Sequence, residues 1–143
     1  MVGASDGSPA DVATMLLAQM ADARSLETLR AQIREIGERS GLTDLALVKF
    51  VLVVHELAVN AIRHGGGSAE VRIWSDANGL CGEVADHGHG IPTQYVSAGR
   101  RTSDTEIGGW GLFLVRQICP GAQVITGRAG TRVTIHYPVP GPG

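Results

Sequence analysis

The sequence predicts an α+β domain. Helical periodicity dominates the first half, β-type alternation the second, and glycine clusters mark the joints between elements. Ser8-Pro9-Ala10-Asp11 has the form of a helix start, with Ser8 as cap, Pro9 at the first helical position and Asp11 three residues after the cap. From there Val12, Met15, Leu16, Gln19, Ala23, Leu26, Leu29, Ile33 and Ile36 recur about every three and a half residues, which predicts a long amphipathic helix up to Gly37, interrupted near residues 22–25. The same stretch admits a second reading, a strand over residues 13–20 with the helix starting near Ser25.

Gly41 breaks the period, Thr43 or Asp44 can cap, and a second helix follows over about residues 45–64. Gly65-Gly66-Gly67 stops it. Residues 70–75 and 80–86 alternate as strands and are joined by Asp76-Ala77-Asn78-Gly79, whose Asn-Gly pair tolerates positive φ, so a hairpin is predicted. Residues 87–108 hold Gly, Pro, Ser, Thr and the pair Arg100-Arg101 without an apolar period, and form a candidate flexible lid. A short helix over residues 110–118, closed by Pro120-Gly121, precedes two strands at 122–127 and 131–137. One domain over residues 11–137 is therefore expected, with disordered ends at 1–10 and 138–143, and no internal repeat points to a solenoid.

Composition narrows the function classes. A chain of 143 residues, 43% hydrophobic and 18% charged, suits a single core. Its net charge of -2 and scattered basic residues lack the field of a duplex nucleic-acid binder. The longest apolar run, residues 45–54, holds Lys49 and is about half the roughly 20 residues that span a bilayer, so no membrane association is expected. Residues 1–10 carry Asp6 and neither Lys nor Arg, unlike a secretory signal, which makes the cytoplasm the expected location. Cys81 and Cys119 sit in apolar contexts without metal-type spacing and read as two small buried hydrophobes.

Against that background one stretch stands out. In the second helix Glu56, Asn60 and His64 follow one another at intervals of four and share one face. A buried polar group must find a partner or lose about 1–3 kcal/mol, so such a stripe in an apolar helix should line a site. As an isolated pair on an exposed face, Glu56 and Asn60 would contribute only about a few tenths of a kcal/mol. Three glycine clusters favour the site: Asp86-His87-Gly88-His89-Gly90, Gly108-Gly109-Trp110-Gly111-Leu112, and Gly130-Thr131.

These residues suit ATP. Asp86 ends a strand and faces the space left by Gly88 and Gly90, where its carboxylate can accept a hydrogen bond from the adenine amino group. The amides of Gly109 to Leu112, at the positive end of a helix dipole, can face phosphate oxygens. Asn60 can supply a neutral oxygen to a magnesium ion, and Glu56, one turn earlier, can polarise an attacking hydroxyl.

In this order the motifs resemble the GHKL family of ATPases and kinases, whose Bergerat fold is a two-layer sandwich with a mixed or antiparallel sheet covered on one face by helices, and with an ATP lid. The resemblance covers roughly residues 42–137: E-x-x-x-N-A-x-x-H at Glu56 to His64 is similar to the N box, D-x-G-x-G at Asp86 to Gly90 to the first glycine box, G-G-x-G-L at Gly108 to Leu112 to the second, and Gly130-Thr131 to the third. Within the family the chain resembles the stand-alone anti-sigma factor serine kinases of bacteria. That resemblance implies ATP and magnesium as cofactors, Asn60 as metal ligand, Glu56 as catalytic base, Asp86 as adenine contact and Thr131 as its support. It also implies an anti-sigma factor antagonist as phosphoacceptor, a sigma factor as second partner, and a homodimer joined through N-terminal elements.

Other readings of the same residues are weaker. His55-Glu56 could suggest a phosphoacceptor histidine or a zinc motif, but Val59 stands where the second zinc-binding histidine would be needed. His87 and His89 fill variable slots of a glycine box, as Trp110 does, and Trp110 reads as a packing residue. His64 can either position phosphate or close the helix C-terminus as a cation, and Arg100 and Arg101 can either reach a phosphate or form a solvated face. Two alternatives to a kinase stay open: an ATP-gated binding module without phosphoryl transfer, and a detached histidine-kinase-like ATPase domain.

Overall fold

The protein's structure, a computed structural model, describes residues 13–88 and 108–139, and of 108–111 the backbone alone. Its first element is a strand, β1 (Thr14–Asp22), so the helical reading of residues 12–20 is corrected in favour of the alternative. Pairing outweighs the periodicity. β1 runs antiparallel to β2 (Ser68–Asp76) from Thr14↔Ser75 to Asp22↔Ser68, with a bulge between Met15 and Leu17. On its inner side Ala21 is buried and Leu17 packs against the core. The break expected near residues 22–25 is a capping box: Asp22 Oδ1 accepts from the N–H groups of Arg24 and Ser25, and Ser25 Oγ accepts from the Asp22 N–H.

A single 3₁₀ turn at Ala23–Ser25 leads into α1 (Leu26–Arg39), which buries Leu29, Ile33 and Gly37. α2 (Asp44–His64) packs against it. Gly37 lets the two helices approach closely, since a Cβ there would lie 2.7 Å from Leu47 Cδ1 and 3.2 Å from Phe50 Cδ2. α2 is long and apolar enough to cross a membrane by length and composition. One side of it nevertheless has protein partners, since Phe50, Val53, Val54, Leu57 and Ala58 are buried against α1, the sheet and α3 (Gly108–Ile118), while Leu45, Val48 and Leu52 are exposed.

The remaining strands are β3 (Gly79–Asp86), β4 (Gln123–Gly127) and β5 (Gly130–Pro138). Among the described residues they form a five-stranded sheet in the order β1-β2-β3-β5-β4, every neighbour antiparallel. With helices on one face this is the expected α+β two-layer architecture. Val71, Ile73, Leu80, Val84, Val133, Ile135 and Tyr137 point inward, as strand alternation requires. Tyr137 also clasps the helical layer, its hydroxyl donating to the Ala46 carbonyl at 2.8 Å and its ring 5.5 Å from that of Phe50.

No helix among the described residues covers the opposite face, which carries a charged ladder of Glu70, Arg72, Glu83 and Arg132. Cys81 opens onto this side. It is 6% exposed but lies against Asp76 and His136, so the apolar context read from its neighbours in sequence is corrected. Burial, reinforced by the Asp76 carboxylate, pushes its thiol up to about 11. Cys119 is the buried small hydrophobe expected of it, its thiol also pushed up to about 11 by burial.

Two boundaries shift. Pro138 ends β5 and Val139 packs against the core, so the expected disordered tail does not begin at 138, while 140–143, 1–10 and 89–107 lie outside the described residues. The short helix starts at Gly108, which places the glycines of the second cluster inside its first turn instead of ahead of it.

The clasp between the layers can be weighed by substitution. Phe50→Ala should cost about 3–5 kcal/mol, and Tyr137→Phe, which removes only the hydroxyl, about 1 kcal/mol. Urea unfolding should show both as lowered midpoints with an unchanged slope.

Candidate functional site

Asp86 is the last residue of β3 and the point at which three segments meet. Its Oδ1 accepts from the Gly88 N–H at 2.8 Å, which folds the following loop back, and from the Thr131 N–H at 3.3 Å. Thr131 is paired with Asp86 on one side and Thr126 on the other, and its hydroxyl lies 2.9 Å from Thr126 Oγ1. It is 7% exposed, a buried polar residue whose hydroxyl has a partner. No described residue donates to Asp86 Oδ2, so one carboxylate oxygen is tied to two backbone amides and the other has no donor among the described residues.

Missing side chains bring the backbone this close. A Cβ on Gly65 would collide with the Asp86 side chain, and one on Gly130 with the Asp86 carbonyl oxygen. A Cβ on Gly88 would lie 2.6 Å from Gly65 Cα and 2.9 Å from the His64 carbonyl oxygen. The C-terminus of α2, the end of β3 and the start of β5 therefore converge on one carboxylate. Gly65 and Thr126 belong to this corner, although in the sequence Gly65 reads only as a helix stop and Thr126 carries no mark at all. Their signals are a glycine run directly after the polar stripe and a threonine pair across a short hairpin.

The stripe leads into the corner. Glu56, Asn60 and His64 sit on successive turns of α2, about 6 Å apart along its axis, with Glu56 and Asn60 half-buried and His64 exposed. Neither the Glu56 carboxylate nor the Asn60 carboxamide has a hydrogen-bond partner among the described residues, although both are partly withdrawn from water. Being only partly buried, both stay open to water or to a ligand. An oxygen donor at Asn60 suits a hard cation such as magnesium. The imidazole of His64 is held below its ordinary value by partial burial and by the Arg63 cation, against the pull of Asp86. Both Arg63 and His64 stand in the last turn of α2.

The structure brings Asp86, Gly88 and Thr131 together and sets His64 beside them. α3 packs against α2, so the first-turn amides of Gly108, Gly109 and Trp110 belong to a helix neighbouring the stripe. Leu112 lies one turn further on and is 2% exposed, a core anchor for that helix. The side chains of Trp110 and its neighbours, together with Gly90, His89, Arg100 and Arg101, lie outside the described residues.

Residues 20–137 match the family model described as a histidine kinase-like ATPase domain. No curated protein matches the sequence. Among solved structures, the chain is similar to the RsbU and RsbW domains of Rv1364c from Mycobacterium tuberculosis, at 21% identity and a TM-score of 0.62 over 89% of this chain and 34% of that one. It is also similar to the histidine kinase domain of a blue-light activated histidine kinase from Erythrobacter litoralis, at 23% identity and a TM-score of 0.53 over 81% and 64% respectively. The chain thus spans less than two thirds of either structure, and at these identities the likeness is one of fold.

Two measurements probe the corner. Gly130→Ala, at φ +132 with backbone in the way, should destabilise by more than about 2 kcal/mol, whereas Gly66→Ala, at φ +97 with nothing within 4 Å, should cost about 1 kcal/mol of backbone strain alone. By NMR, His64 should titrate below 6.5, and Asp86→Asn should move it lower by removing the opposing charge. Because the folded value is depressed, its contribution to stability is fully present above 6.5 and declines as pH falls through the folded value.

Proposed function

Because the chain belongs to the histidine kinase-like ATPase family, we propose that it is an ATP- and magnesium-dependent protein serine/threonine kinase of the anti-sigma factor type. In this reading it phosphorylates a small anti-sigma factor antagonist and regulates a sigma factor by partner switching, as a homodimer in the cytoplasm. The observation that carries the nucleotide half of the proposal is the Asp86 corner, where one carboxylate oxygen is tied down by two backbone amides and the other has no described donor. The intact Glu56 and the likeness to a chain holding an RsbW domain support the kinase half.

Each residue then has a task. Asp86 Oδ2 accepts from the amino group of adenine, and Thr131 holds Asp86 in place through its N–H. Gly88 and Gly90 keep the base edge free of side chains. The backbone of Gly108, Gly109, Trp110 and Gly111 offers first-turn amides and the helix dipole to phosphate, while Leu112, one turn further on, fixes the helix in the core. His64 donates a hydrogen bond to a phosphate oxygen. Asn60 offers its carboxamide oxygen to magnesium, an ion that supplies neutralisation of phosphate charge when bound. Glu56 would take the proton from the serine or threonine hydroxyl of the antagonist as that oxygen bonds to the terminal phosphorus and the bond from that phosphorus to the bridging oxygen breaks, releasing ADP.

Transfer from radiolabelled ATP to candidate antagonists tests this. The expected product is an acid-stable phosphoserine or phosphothreonine. Glu56→Ala should reduce transfer by about 10²–10⁴-fold while ATP affinity stays within about twofold. Asn60→Ala should abolish the magnesium dependence of ATP binding, and Asp86→Asn should weaken ATP binding by about tenfold or more, the worth of a hydrogen bond to a charged group. Binding without transfer to any antagonist would leave an ATP-gated binding module; acid-labile phosphate on a partner would identify a histidine-kinase-like ATPase domain.

A further inference from the structure

At the opposite end of β3 from Asp86, and on the other face of the sheet, Asp76, Cys81 and His136 turn three different donor atoms toward one another. Two strand registers produce the meeting. Cys81 stands directly opposite His136 across β3 and β5, while Asp76, opposite Gly79 at the hairpin end, is the diagonal neighbour of Cys81 across β2 and β3. The Cys81 Sγ lies 3.5 Å from His136 Nδ1 and 3.6 Å from Asp76 Oδ2, and all three ligand atoms fall within 4.8 Å of one another.

These separations match a particular coordination. Zinc bonds of about 2.3 Å to sulfur and about 2.0–2.2 Å to nitrogen or oxygen, set at tetrahedral angles, put the S···N and S···O edges at about 3.6 Å. The carboxylate is also oriented in advance: Asp76 Oδ1 accepts from the Asn78 N–H at 2.8 Å, which leaves Oδ2 as the oxygen facing the thiol. Cys81 is buried at the floor, Asp76 half-buried at the side and His136 exposed at the mouth, so an ion has an entry path and a fourth position open to water.

The geometry points to a mononuclear zinc-type site formed by Cys81, His136 and Asp76 on the helix-free face of the sheet, separate from the nucleotide site. The donor set of one sulfur, one imidazole nitrogen and one carboxylate oxygen suits a borderline d¹⁰ ion better than calcium or magnesium. On coordination the Cys81 S–H bond breaks, sulfur binds the metal as thiolate, and the proton passes to solvent. Cys81 and Asp86 are five residues apart along β3, about 17 Å at strand rise, and their side chains leave opposite faces, so the site is independent of ATP.

Metal-stripped, untagged protein titrated with cobalt(II) tests the assignment. The expected result is a near-ultraviolet thiolate-to-cobalt charge-transfer band with the visible bands of tetrahedral cobalt, saturating at one equivalent and displaced by zinc. Cys81→Ser should abolish the charge-transfer band, His136→Gln and Asp76→Asn should each weaken binding about tenfold or more, and Cys119→Ser should leave it unchanged. His136 is exposed, so His136→Gln remains informative even if Cys81→Ser fails to fold. A band that survives Cys81→Ser, affinity unaltered by both His136→Gln and Asp76→Asn, or wild-type protein that binds neither metal would overturn the proposal. ATP affinity should be the same with and without zinc; coupling between the two would contradict the stated independence.

Discussion

The architecture around the site depends on the acceptor capacity of one carboxylate. Asp86 Oδ1 takes two backbone N–H groups, one from just after its own strand and one from the start of β5, 45 residues further along the chain. A shorter or neutral acceptor at the end of β3 would not draw these backbones together with the same strength, because hydrogen bonds to an ionised acceptor are roughly twice as strong as neutral ones. The three glycines that close on it follow from this. Once backbone must approach within van der Waals contact of a carboxylate and its carbonyl, Cβ atoms at Gly65 and Gly130 have no room, and one at Gly88 would meet the backbone of Gly65 and His64.

α2 divides two requirements between its faces. Phe50, Val53, Val54, Leu57, Ala58 and Ala61 supply the apolar surface that binds helix to sheet, and at about 25–30 cal/mol per Å² of buried apolar area this side holds the layers together. Glu56 and Asn60 lie off that stripe, half-buried and without described partners. The position of the polar stripe is thus fixed by the rigid element and not by the loops around it.

Features set by local spacing are legible in the sequence itself. Glu56, Asn60 and His64 are neighbours on a helix through their intervals of four, and the glycine clusters mark the ends of elements whatever packs beside them. Features set by strand pairing are not. Met15, Leu16 and Gln19 fit a helical period as well as a strand, and β2, some fifty residues on, decides between them by hydrogen-bonding β1 along its length. Cys81 has Leu80 and Val84 near it in sequence, but the register of three strands gives it Asp76 and His136 as neighbours in space. Gly65 carries the same information as any helix-terminating glycine until the approach of Asp86 is known.

The strand order has a consequence for how the protein acquires its site. β5 lies between β3 and β4 in the sheet yet follows both in the chain, so β4 has no partner in the sheet until a later segment arrives. Closing β5 onto β3 joins residues such as Asp86 and Thr131, and the Tyr137 hydroxyl clasp to Ala46 spans 91 residues. The β1–β2 pairing closes loops of similar length, so what sets the β3–β5 contacts apart is chain order: β5 follows every other described element. During synthesis, helices and the first hairpin can assemble while the Asp86 corner is still missing its third wall. The completed corner is then a late-acquired property of the chain, gained in the same step that completes its sheet.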